Sequence, residues 1–195
     1  MLARQVPEDS AIARELAGFI TSEVDRANSI ITRFLDFARP LKAHPRMADL
    51  GETLDRAVAQ LEHHNPPFPI IMYRNYSPDI PPFPFDPELV ERVAYNLLLN
   101  AAQASPPDSP ITLKTRAVDG YAEFAIIDRG KGIAPAHREN IFNPFFTTRQ
   151  EGVGLGLAIC AKIVDEHRGR ILVESESTGS VFRVLLPTEA ETTTA

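Results

Sequence analysis

Asp128-Arg129-Gly130-Lys131-Gly132-Ile133 follows without a break on Phe124-Ala125-Ile126-Ile127, so a carboxylate stands at the end of a strand and two glycines come next. Glycine lets a backbone pass close to a ligand. A carboxylate so placed accepts a hydrogen bond from an exocyclic amine such as adenine N6, whereas guanine offers an acceptor there and is rejected. Alone, the pattern is equally an Asp-x-Gly turn, and its neighbours in sequence decide between the two.

Upstream, Asp86-Pro87 reads as an N-cap with proline at the first helical position, opening a helix that runs to about 104 and closes at Pro106-Pro107. Its residues Arg92, Asn96, Asn100 and Gln103 fall on one face, beside a core face of Leu89, Val93, Leu97 and Ala101. Asparagine is no helix former, and two at i, i+4 aim amide oxygens in one direction. Such oxygens can complete a Mg²⁺ shell whose other ligands are phosphates and water. On an isolated helix the same stripe would be a solvated face. Downstream, Gly152-Val153-Gly154-Leu155-Gly156-Leu157 precedes a helix expected over 155–167. Backbone N–H groups freed by glycine, with the positive end of a helix dipole behind them, make a nest for phosphates. The run follows a loop and not a strand, which disfavours a Rossmann site, and no Gly-Lys-Ser/Thr marks a Walker A loop.

Around this centre, 111–118 alternates as a half-buried strand, Asp119-Gly120 turns, and 121–127 returns. A closing hairpin is expected from 170–174 and 181–186 about Thr178-Gly179. Asp49 and Glu52 form a capping pair for a helix striped by Leu50, Leu54, Val58 and Leu61, ending before Asn65-Pro66-Pro67. Residues 66–87 hold eight of the 17 prolines, so only Ile70-Ile71-Met72-Tyr73 is read there as a strand, at a sheet edge. At the start, Ala13, Ala17, Ile20, Val24, Ala27, Ile31, Phe34 and Ala38 form a heptad seam stopped by Pro40. The seam fits dimerisation, or packing of the helix on its own domain. Hairpin-paired strands with helices over one face make the fold α+β, a two-layer α/β sandwich.

The 195 residues suit one full domain and a smaller element. With 20 Lys+Arg against 26 Asp+Glu the net charge is -6, which gives no global reason to approach nucleic acid. Cys160, the one cysteine, forms no internal disulfide and supports no cysteine-based zinc site. No run approaches 18 apolar residues, so membrane contact is not expected.

These elements in this order, with Phe142-Asn143-Pro144-Phe145-Phe146-Thr147-Thr148 between the last two, resemble the ATP-binding domain of two-component sensor histidine kinases, of the Bergerat (GHKL) fold type. The resemblance covers residues 20–187. The motif from Asn96 to Ala101 looks like the family's N box, 128–133 its first glycine box, 142–148 its F box and 152–157 its second glycine box. Helix 20–40 is similar to the second dimerisation helix of nitrogen-regulation-type sensors. The resemblance implies three segments: a helical dimerisation segment over 1–47, an ATP-binding catalytic domain over 48–187 and a disordered tail over 188–195. It implies Mg²⁺ at Asn100 with Asn96 beside it, and ATP contacts from Gln103, Asp128, Gly130, Gly132, Ile133, Phe146, Thr147, Gly152, Val153, Gly154, Leu155, Gly156 and Leu157. Residues 134–151 would be an ATP lid that Phe145 and Phe146 tie down, unless they merely pack within it. Arg149 would meet the γ-phosphate, or else be a surface arginine.

The resemblance further implies transfer of the γ-phosphate to a histidine, a homodimer through helix 13–38, a response regulator receiver domain as partner of the whole kinase, and a cytoplasmic setting. ATP-hydrolysing relatives carry a glutamate at position 96 to activate water; here it is asparagine, and an amide is no general base. None of His44, His63, His64, His137 or His167 stands in the family's acceptor motif, so the acceptor is expected on a helix outside this sequence, with residues 5–11 as the inter-helix turn. His167 is read as a favourable charge at a helix end. Val153 lacks a hydroxyl common at its place, and Ala104 replaces an aromatic near adenine. Rival readings are a non-catalytic ATP-binding or dimerisation module, an anti-sigma-type protein-serine kinase and a slow ATPase.

Overall fold

The structure, a computed structural model, describes residues 11–149 and 152–189. Two compact units divide at Pro40 and Leu41. The first contains α1 (Ala11–Ala38), a 28-residue helix. Ile20, Val24, Ile31 and Phe34 of its seam are exposed, and so are Leu16, Phe19 and Leu35. The turn expected over 5–11 lies, up to residue 10, outside the described residues.

The second unit runs β1 (Arg46–Ala48), α2 (Leu50–Glu62), β2 (Ile70–Asn75), β3 (Phe83–Phe85), α3 (Pro87–Ala104), β4 (Ser109–Val118), β5 (Tyr121–Ile127), α4 (Gly156–Glu166), β6 (Arg170–Glu176) and β7 (Gly179–Pro187). A five-stranded sheet has the order β2-β4-β5-β7-β6, with every pair antiparallel except β2 and β4. The edge place of β2 fits its proline-rich flanks. Alternation along β4, β5 and β7 sends Ile111, Leu113, Phe124, Ile126, Phe182, Val184 and Leu186 to one face, where all are buried. Leu54, Val58 and Leu61 of α2, Val93, Leu97 and Leu98 of α3, and Ile163 and Val164 of α4 supply the helical layer of the core. Each such side chain stabilises by roughly 1.5–3 kcal/mol through burial.

On the opposite face Glu123 is only 3% exposed, because Arg116 donates to both its oxygens at 2.8 and 2.9 Å and Arg183 donates from 3.4 Å. Burial pushes its carboxyl up, and the two guanidinium groups overcome this and hold it below the usual range.

The caps form as the sequence predicts. Asp49 accepts from the Glu52 N–H at 2.9 Å. Asp86 Oδ1 accepts from Glu88 and Leu89 N–H at 3.1 Å each, and Oδ2 from His44 N–H at 2.9 Å. Burial pushes the Asp86 carboxyl up, but the donors from His44 and Leu89 outweigh it and keep the group below its ordinary value.

Several details differ from the sequence reading. β1 and β3 form an additional antiparallel ribbon that pairs Arg46 with Phe85 and Ala48 with Phe83. The expected boundary between 47 and 48 falls inside β1, which pairs within the second unit. Three-residue strands carry too little alternation to show, and Pro84 masks β3. On α3, Leu89 is half-buried while Val90, Ala94 and Leu98 are buried, so the apolar face is wider than the stripe expected. His167 is not a lone charge at the end of α4. Its Nε2 accepts from the Asp86 N–H at 3.1 Å, which places the proton on Nδ1, 2.8 Å from the Ile163 carbonyl oxygen. The ring thus bridges the end of α4 and the start of α3. Thr188, assigned to the tail, is held by the β4–β5 turn through N–H and Oγ1 bonds to Gly120 O at 2.9 and 3.0 Å. Residues 190–195 lie outside those described.

Candidate nucleotide site

β5 ends at Ile127 and delivers Asp128 into the interior, 4% exposed. Its Oδ1 accepts from Gly130 N–H at 2.8 Å and Ser180 N–H at 3.2 Å, while its own N–H donates to Ser180 O at 2.9 Å. No described donor reaches Oδ2. Burial raises the carboxyl above its ordinary value, opposed by the two N–H groups.

The turn that follows is shaped by its glycines. A Cβ on Gly130 would lie 2.6 Å from the Ala104 carbonyl oxygen, so glycine at 130 allows the close approach of the turn to α3. Gly132 has φ +66°, and a Cβ there would fall 1.7 Å from Glu176 O. Ile133 N–H donates to Ser175 Oγ at 2.8 Å, fastening the turn to β6.

α3 presents Asn96, Asn100 and Gln103 on one face, and α4 starts opposite it. A Cβ on Gly156 would lie 4.0 Å from Asn96 Oδ1 and meet nothing nearer. Leu155, the N-cap of α4, makes no side-chain cap, which leaves the first-turn N–H groups for an external acceptor. The Leu155 side chain is buried in the core, so only backbone at this residue can face a ligand. Phe145, at φ +67°, donates its N–H to Gly154 O at 2.9 Å and is 54% exposed. Phe146 lies with its ring centroid 5.5 Å from that of His137. Thr147 Oγ1 accepts from Arg149 N–H at 3.1 Å. Arg149 then reaches α3, where Nη1 donates to Asn100 Oδ1 at 3.2 Å and to Gln103 Oε1, and Nη2 to Asn100 O at 3.2 Å.

The turn after Asp128 thus meets α3 at Ala104 and the start of α4 meets it near Asn96, so a buried carboxylate, an amide-bearing helix face and an uncapped helix start lie along α3. The family described as histidine kinase-, DNA gyrase B- and HSP90-like ATPase matches residues 85–190. The chain belongs to this ATPase family. Over 90% of its length it is 32% identical to sensor histidine kinase ZraS of Escherichia coli (strain K12), covering 38% of that protein. Over 86% of its length it is 35% identical to sporulation kinase E of Bacillus subtilis (strain 168), covering 23% of it. The chain thus spans well under half the length of these curated relatives. Among solved structures it resembles the mycobacterial sensor histidine kinase MprB, with TM-score 0.65, 29% identity, and coverage of 74% of this chain and 97% of that one. It also resembles histidine kinase ThkA in its complex with response regulator protein TrrA, with TM-score 0.78, 25% identity, and coverage of 97% and 55%.

The ATPase family's layered fold and its ATP-binding module are what the chain shows. A magnesium ion fits the donor set, since Asn100 Oδ1 and Gln103 Oε1 already converge on one cation, the Arg149 guanidinium. No cluster of three or more His, Cys, Asp or Glu capable of holding a metal occurs among the described residues, so amide oxygens are what this site has to offer. Sequence reasoning missed Ser175, Gly179 and Ser180. Ser180 holds Asp128 from both sides, and a Cβ on Gly179, at φ +145°, would fall 2.1 Å from Asp128 O. Thr178-Gly179 announced a turn, but that the turn seats Asp128 follows only from the β5–β7 pairing.

Proposed function

We propose that this chain is the catalytic, ATP-binding portion of a cytoplasmic sensor histidine kinase, passing the γ-phosphoryl group of ATP to a histidine on a helix outside residues 1–195. The observation that carries it is Asn96. The side chain facing the start of α4 is an amide, which cannot deprotonate water as the glutamate of the hydrolysing relatives does. Asp128 accepts from the adenine amine, Gly130 and Gly132 admit the base edge, and the uncapped first turn of α4, with Gly152, Val153 and Gly154 before it, donates backbone N–H groups to the phosphates. Ile133, Phe146, Thr147 and Leu157 shape the walls around it. Mg²⁺, held by Asn100 with Asn96 beside it, would neutralise phosphate charge. Arg149 supplies a second cation for the γ-phosphate. The acceptor imidazole nitrogen forms its bond to phosphorus as the β,γ-bridging bond breaks and ADP leaves, so catalysis here is positioning and charge neutralisation.

The test supplies γ-labelled Mg-ATP to the purified chain, with and without a histidine-bearing dimerisation helix from a sensor kinase. The expected result is acid-labile label on the added helix and none on the chain alone. Label on the chain itself would overturn the reading of its histidines. Tight Mg-ATP binding with no transfer to any acceptor would overturn the kinase assignment. In the whole protein the product phosphohistidine would pass to a response regulator receiver domain, as the ThkA–TrrA likeness supports. The exposed stripe of α1 would bring two copies together. Sedimentation should give a dimer mass at micromolar concentration, and a monomer throughout would refute it.

A further inference from the structure

The Arg149 guanidinium stands on the oxygens that a magnesium ion would take. Its three acceptors, Asn100 Oδ1, Asn100 O and Gln103 Oε1, all lie toward the C-terminal end of α3. The last turn of α3 has no basic residue of its own, so the negative end of its dipole lacks a cation from within the helix. Arg149 supplies one from the loop. The delivery is shaped by neighbours: the Arg149 N–H is held by Thr147 Oγ1, Gly152 N–H donates to Arg149 O at 3.3 Å, and a Cβ on Gly152 would come within 2.4 Å of that same hydroxyl. Half-buried and triply bonded, the guanidinium is a built contact, unlike a solvated surface charge.

We propose that Arg149 is an internal counter-cation, occupying the metal position of the nucleotide-free chain, and that Mg-nucleotide displaces it from Asn100. This rests on the reading of the cleft as a Mg-ATP site. Mg²⁺ takes an amide oxygen at about 2.0–2.1 Å. A guanidinium nitrogen 3.2 Å from the same oxygen would then face the divalent charge with no anion between them. The two cations exclude each other at Asn100. A bound triphosphate resolves the conflict by offering the displaced arginine phosphate oxygens, which guanidinium groups bind bidentately. The residue bonded to Asn100 thereby becomes the one that meets the terminal phosphate, and it is released only when metal and nucleotide arrive together.

Limited trypsin digestion reads the exchange, because the protease needs the Arg149 side chain to be free before it cuts the bond after it. The bond after Lys42, whose side chain is exposed, is the internal reference. Without nucleotide, Arg149 should be cut slowly. The Gln103→Ala variant, altered at an exposed position, should be cut there about tenfold faster, the effect of losing one charge-assisted hydrogen bond, with no change at Lys42. Saturating Mg-ADP should speed the Arg149 cut severalfold in the unaltered chain, ADP with a chelator should not, and a non-hydrolysable ATP analogue with Mg²⁺ should slow it again. An unchanged rate in Gln103→Ala, or protection by Mg-ADP equal to that by ADP alone, overturns the proposal. Calorimetry of ADP binding separates the two claims. If no nucleotide binds, the reading of the cleft fails, while the nucleotide-free comparison of Gln103→Ala with the unaltered chain still decides whether Arg149 is latched.

Discussion

The two glycine-bearing turns of the cleft are built in opposite ways. At the adenine end, a Cβ added at Gly130, Gly132 or Gly179 would strike main-chain atoms of Ala104, Glu176 or Asp128 at 2.6, 1.7 and 2.1 Å. In the turn before α4, Gly152 is backed by the Thr147 side chain, Gly154 by the main chain of Phe145 and Phe146 of its own loop at 2.5 to 2.7 Å, and Gly156 by nothing closer than Asn96 Oδ1 at 4.0 Å. The first turn is wedged between the backbones of separate elements. The second rests on side chains and on itself. The turn after Asp128 therefore forms with the sheet, while the turn before α4 depends on its own loop.

Gly132→Ala is the severest test of that contrast. The substituted residue would keep φ +66°, which costs an L residue about 1–2 kcal/mol. It would also force Glu176 O, in β6, to move. A total loss of roughly 3–5 kcal/mol in denaturant unfolding is expected. A loss below about 1 kcal/mol would show that the adenine turn is as adaptable as the phosphate turn.

Asp128→Asn comes next, and it separates recognition from stability. An amide nitrogen facing the adenine amine leaves two donors opposed, so ATP affinity should fall about 10- to 100-fold in calorimetry. Because the folded carboxyl titrates above its ordinary value of 3.8, the stability it contributes is fully present below that value and is lost as pH rises through its folded value. At neutral pH the variant should thus be no less stable than the unaltered chain. Nucleotide binding needs the ionised form, so affinity in the unaltered chain should drop as pH falls through a window above the usual aspartate range, and Asp128→Asn should abolish that dependence. A variant that binds ATP normally would remove Asp128 from base recognition.

The sequence carried the adenine end further than it carried the reasons for it. Asp128, Gly130 and Gly132 were legible because a strand, a carboxylate and two glycines are local and adjacent, and Asp86-Pro87 announced α3 by its cap alone. Ser180 and Gly179 were not legible, because their role exists only once β7 pairs with β5. The β1–β3 ribbon was hidden by its length and by Pro84. His167 was misjudged because its partner, the Asp86 N–H, lies far away in the chain. The position of Arg149 was the least legible, since a cation in a glycine-bearing loop says nothing of which helix it reaches.

Gly156→Ala carries the smallest effect and the sharpest sign. Gly156 is the first residue of α4 and does not have positive φ, so alanine fits its backbone, and the built Cβ meets no atom closer than 4.0 Å. Exchanging glycine for alanine at a compatible helical position stabilises by roughly 0.4–1 kcal/mol, chiefly by restricting the unfolded chain. Thermal unfolding of the nucleotide-free variant should therefore shift upward by a few degrees. The same Cβ enters the space between α4 and Asn96 in which the proposed function puts the phosphates, so Mg-ATP affinity should fall as stability rises. Opposite movement of the two quantities places the triphosphate against the start of α4. If both rise, or affinity holds, the space is not where the phosphates lie, and the contrast between a fixed adenine end and an open phosphate end loses its second half.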